Sequence, residues 1–152
     1  MIYRKFYIIT AIFPFILILG GCKKETSVTE PDKDHFDAEG LVIMNDAFQE
    51  KLRVFRGITT DTLKVPLNGM TEHLKIKFLD ENNKLINPPE DKNKTLSWVI
   101  ADTTKLGVFR HDDDSWEFHL MGKKEGKTTI EFQILHVDHP DFRTPALPVV
   151  IK

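Results

Sequence analysis

Six histidines carry the coordination chemistry open to this chain: His35, His73, His111, His119, His136 and His139. The densest group is His136-Val137-Asp138-His139-Pro140-Asp141-Phe142, in which imidazole and carboxylate alternate. Where no thiolate is to hand, these are the usual ligands of Zn²⁺ or Cu²⁺. Residues three apart on a regular strand point to opposite faces, so His136 and His139 converge only if the chain turns between them, and Pro140 favours a turn. The candidate metal set is therefore His136, His139 and Asp141, with His119 added from the outward face of a strand expected to form a hairpin with the strand at 129–135. His111, in the acidic turn with Asp112, Asp113 and Asp114, could supply a further ligand, and it joins Asp138, Phe142 and Arg143 as the expected binding loops, because loops carry function on a rigid scaffold. No recognised zinc spacing is met, and His and Asp also gather in exposed turns for their solubility. The first expectation is thus no cofactor, with zinc or copper as the alternative.

No constellation for catalysis is present. Ser27, Ser97 and Ser115 lack a Gly-x-Ser-x-Gly context, and Glu117 with Glu131 reads as hydrated surface. The Asp112–Asp114 run has no glutamate at an EF-hand distance. Glycines 20, 21, 122 and 126 make no phosphate-cradling pattern. The expectation is a protein that is not an enzyme.

The only cysteine has a different use. Arg4 and Lys5 precede an apolar stretch from Phe6 to Leu19, which runs into Gly20, Gly21 and Cys22. A basic start, a short apolar core and small residues before a cut make a secretory signal peptide. From Phe6 to Gly21 the segment has about 16 residues with Pro14 in its middle, short of the roughly 20 needed to cross a bilayer. Leu19-Gly20-Gly21-Cys22 resembles the lipobox of bacterial lipoproteins. That resemblance implies that Cys22 carries diacylglycerol and palmitate, that the chain is cut before it, and that the product sits in the bacterial cell envelope, lipid-anchored at the outer membrane on its periplasmic or surface side. Each buried methylene contributes about 0.8 kcal/mol, and two or more acyl chains anchor stably. No second thiol remains for an intrachain disulfide.

The organisation follows: residues 1–21 as signal peptide, 22–39 as a flexible polar tether, and 40–152 as one domain. From Lys23 to Glu39 only Val28 and Phe36 are large and apolar, a composition too polar to offset ordering entropy; about 15 such residues span roughly 20 Å. The whole chain has 21 basic and 23 acidic residues, a net charge of −2, and loss of Arg4 and Lys5 makes it about −4. This lacks the basic footprint of a nucleic-acid binder.

From Leu41 onward apolar residues recur at every second position, the period of a half-buried strand. Leu41/Ile43, Leu52/Val54, Leu63/Val65, Leu74/Ile76/Phe78, Leu96/Trp98/Ile100, Leu106/Val108, Trp116/Phe118/Leu120, Ile130/Phe132/Ile134 and Leu147/Val149/Ile151 mark the candidates. Turn residues separate them at Asp80–Asn83, Asn87–Pro89 and Gly122–Gly126. The pattern predicts an all-β, Ig-like antiparallel β-sandwich of about 7–9 short strands, its core led by Trp98, Trp116, Phe78, Phe118 and Phe132. Pro145 and Pro148 predict a last strand at a sheet edge, since proline donates nothing to a ladder.

Leu96-Ser97-Trp98-Val99-Ile100-Ala101-Asp102, Leu106-Gly107-Val108, Phe118–Gly122, Gly126-Lys127-Thr128-Thr129-Ile130 and Pro148-Val149-Val150-Ile151 together resemble the second half of bacterial Ig-like repeats of the group 2 type. The resemblance covers about half of the chain beyond Cys22 and implies a scaffold on bacterial surface proteins. The segment His136–Pro145 reads as an insert in that pattern. The expected function is a lipid-anchored envelope protein whose Ig-like domain is a non-catalytic binding or scaffolding module, with the membrane and another envelope protein as partners and no nucleic acid. The alternative is a periplasmic or surface lipoprotein that captures zinc or copper for a transport system.

Overall fold

The two-residue alternation produces strands throughout a computed structural model that describes residues 35–59, 61–112 and 116–152. The expected signal segment 1–21, Cys22, the expected tether as far as residue 34, and Asp113, Asp114 and Ser115 lie outside the described residues. Among those described there are eleven strands and no helix. They are β1 (Gly40–Asn45), β2 (Glu50–Phe55), β3 (Leu63–Val65), β4 (Leu74–Leu79), β5 (Leu85–Ile86), β6 (Lys94–Ile100), β7 (Leu106–Phe109), β8 (Glu117–Gly122), β9 (Gly126–His136), β10 (His139–Arg143) and β11 (Leu147–Ile151). All nine expected strands form; the count rises because β5 and β10 are added.

The strands build a β-sandwich. One sheet runs β2-β1-β4-β8-β7, with β5 beside the far end of β4; in the other, β9 lies between β6 and the pair β10 and β11, and β3 flanks β11. Every strand pair is antiparallel except β3 with β11. The inward residues of both sheets meet in one core: Leu41, Ile43, Phe118, Leu120, Ile130, Phe132 and Ile134 are all 0% exposed. Phe118 of the first sheet packs on Phe132 of the second, ring centroids 5.1 Å apart. β1 is buried on its other face as well, where Val42, Met44 and Leu79 form a small second cluster with Phe55.

Three expectations are corrected by this arrangement. β8 and β9 do not form a hairpin: β8 pairs with β4 and β7, and the chain crosses to the opposite sheet through residues 123–125. The reason is that Phe118 faces Phe132 across the core instead of lying beside it. At the crossing, a Cβ on Gly122 would come within 2.3 Å of the Pro66 carbonyl oxygen, so only glycine admits that approach. Second, β11 is no edge strand. It pairs with β9 on one side and β3 on the other, and pairing with β3 begins at Val149, one residue past Pro148. Third, the tryptophans do not lead the core. Trp98 and Trp116 are half-buried at its margin, and the Arg110 guanidinium lies 4.9 Å from the centre of the Trp98 ring.

The boundary of the domain also moves. Residues 35–39, assigned to the tether by composition, lie on the sandwich: Phe36 packs edge-on against Phe78 at 5.1 Å, and Glu39 N–H donates to the Leu79 carbonyl. Phe36, one of two large apolar residues in a polar stretch, finds a partly buried site there.

Candidate functional site

The fold sorts the histidines into two groups on different sheets. His136 and His139 face each other as a registered pair where β9 turns into β10, so the segment expected as a looped insert is a hairpin. Val137 and Asp138 make the turn, Val137 with a φ of 57°, a region in which branched side chains are rare. The two imidazole centroids are 5.3 Å apart, and His35 stands 5.6 Å from His139. Asp141 of β10 is the hub, its side chain 0% exposed. Its Oδ2 accepts from Lys94 Nζ at 3.0 Å and from Phe36 N–H at 3.2 Å. Its Oδ1 lies 2.9 Å from His35 Nδ1, 3.4 Å from His139 Nε2 and 3.7 Å from His136 Nδ1. Burial pushes the Asp141 carboxyl up, but the bonds from Lys94, His35 and Phe36 N–H outweigh it and hold the group down at about 2.

This geometry is that of a buried ion pair which fastens residues 35 and 36 to β10. A dication bound to Asp141 would meet the Lys94 ammonium at contact distance, and the charge of Asp141 is already matched. Of the expected metal set, His136, His139 and Asp141 come together; His119 does not, because its strand belongs to the other sheet. His35 joins from 106 positions away, and no spacing rule could have linked it to Asp141. Among the expected binding-loop residues, Asp138 is 90% exposed at the turn and Arg143 is exposed, whereas Phe142 packs on Phe78 at 5.5 Å and belongs to the margin of the core.

The second group lies on the outer face of the first sheet. Leu74 of β4 pairs with Phe118 of β8, both pointing inward, which brings their neighbours His73 and His119 together on the outside. Phe109 of β7 pairs with His119, and His111 follows β7 by two residues. The centroids are 5.1 Å apart for His73 and His119, 5.5 Å for His111 and His119, and 6.0 Å for His73 and His111. One ring nitrogen from each lies within 4.8 Å of the others. His119 Nδ1 is 3.0 Å from the Thr71 carbonyl oxygen, an acceptor only, so Nδ1 carries the proton. His73 lies between two carboxylates, Nδ1 3.3 Å from Asp46 and Nε2 3.3 Å from Glu117. Lys75 Nζ bridges the same two acids at 3.0 and 3.3 Å. Hydrogen bonds from Lys75 and His73 hold the Asp46 carboxyl below its usual range, and those to Asp46 and Glu117 raise Lys75.

Compared with known proteins, the chain matches no family model and none of the curated proteins.

Proposed function

We propose that this chain is a lipid-anchored protein of the bacterial cell envelope, moored at the outer membrane through Cys22, whose Ig-like sandwich is a non-catalytic binding or scaffolding module for another envelope protein. The observation that carries the reading is the only cysteine standing directly behind Leu19-Gly20-Gly21. The sandwich suits the role, since a core of interlocked strands leaves its surface to vary without loss of the fold.

Replacement of Cys22 by Ser in the producing cell tests this. The variant is expected to lose incorporation of labelled palmitate, to keep its precursor length and to leave the acylated fraction of the envelope. A variant that still partitions with membranes at the size of the clipped wild type would sink the mooring. Cross-linking of intact cells followed by co-purification identifies the partner.

A second reading, capture of zinc or copper for a transport system, is favoured by the three imidazoles on the outer face of the first sheet. Metal content of the purified protein separates the two.

A further inference from the structure

We propose that His73, His111 and His119 bind one divalent transition metal ion, Zn²⁺ or Cu²⁺, on the outer face of the first sheet. The assignment differs from the one the sequence suggests, which centres on His136, His139 and Asp141 and omits His73. It stands apart from the lipid anchor, because none of the three residues depends on Cys22.

Convergence is the first argument. The three ring nitrogens lie within 4.8 Å of one another, and nitrogens on one tetrahedral zinc are about 3.4 Å apart for bonds of 2.0–2.1 Å. His111 is exposed and sits beyond the end of β7, where its ring has room to adjust toward the other two.

Pre-orientation is the second. A ligating histidine characteristically donates its other N–H to a carbonyl or carboxylate, which sets the tautomer and aims the ring. His119 donates Nδ1–H to the Thr71 carbonyl at 3.0 Å, and His73 places Nδ1 3.3 Å from the ionised Asp46. His119 therefore offers Nε2 from within β8, and His73, the residue just before β4, is set beside it by the Leu74–Phe118 pairing with its Nε2 turned toward Glu117. Glu117 Oε2, 3.3 Å from His73 Nε2, brings a carboxylate oxygen to the rim of the nitrogen set.

Charge and ligand type complete the case. Lys75, the cation nearest His73 in this network, is engaged by Asp46 and Glu117, whereas in the Asp141 group Lys94 holds the carboxylate that an ion would need. Three imidazoles favour zinc and copper over magnesium and calcium, which take oxygen. Three protein ligands with an exposed third leave an open position through which an ion exchanges.

The test is calorimetric titration of the full chain, in detergent micelles and stripped by chelator, with zinc chloride. One zinc per chain at micromolar affinity or tighter is expected. His111→Ala and His119→Ala should each weaken binding at least about tenfold, the lower end of what even outer-shell partners contribute. His139→Ala, which alters the other histidine group, should leave affinity unchanged, as should Cys22→Ser. His111 is exposed, so its variant keeps the test decisive if the His119 variant fails to fold. With Cu²⁺ in place of zinc, the electron paramagnetic resonance spectrum should show coupling to three nitrogens. Absence of saturable zinc binding, or binding that survives His111→Ala but is lost in His139→Ala, overturns the proposal.

Discussion

Asp141 joins three parts of the chain that are remote in sequence: His35 and Phe36, the start of β6 at Lys94, and the turn between β9 and β10. Removing one member of a buried ion pair costs about 3–5 kcal/mol, because the partner keeps its desolvation penalty without the compensating charge. Asp141→Asn should lower the free energy of unfolding by roughly that amount in a urea titration. The acid dependence has a definite sign. The carboxyl is held at about 2 in the folded chain against 3.8 ordinarily, so its ionised form stabilises the fold fully above about pH 4 and loses that contribution as pH falls toward 2. Lys94, His35, His136 and His139 are the titratable groups facing it. The wild-type stability should therefore fall over this window more steeply than that of the Asn variant, and equal slopes would remove Asp141 from its hub role. At this scale the sequence displayed the right residue types around His136 but gave no sign of Lys94 or His35, whose proximity is a product of pairing.

Between β10 and β11 the ladder to β9 is broken but its hydrogen bonds are not abandoned. Thr144, 3% exposed, accepts the Phe132 N–H on its hydroxyl at 3.0 Å while its own N–H donates to the Phe132 carbonyl at 2.9 Å. The register with β9 shifts on the way, from Pro140 opposite Leu135 to Phe142 opposite Ile134. This irregularity is why β10 reads as an insert: its polar residues, its proline and its bulge hide the period of two. Thr144→Val keeps shape and branching but strands the Phe132 donor, a loss of about 1–3 kcal/mol in stability by chemical denaturation. A variant as stable as the parent would show that water reaches that N–H. The regular strands were legible because their alternation is local. Leu74, Ile76 and Phe78 fall on one face whatever surrounds them, and each is at most 2% exposed.

The whole sandwich extends beyond the boundary that composition sets at residue 40. A chain beginning at Gly40 lacks the Phe36 ring on Phe78 and two of the bonds to Asp141. It should melt about 5 °C or more below a chain beginning at His35, and coincident thermal transitions would return these residues to the tether. What the sequence determined unaided is what short-range physics controls: the strand period and the inward face of each strand. Which strands become neighbours was left to the tertiary structure, because Phe118 and Phe132 bury best across the core and not side by side. That one choice carries His119 away from His136 and sets it beside His73 and His111, a grouping that no local spacing encodes.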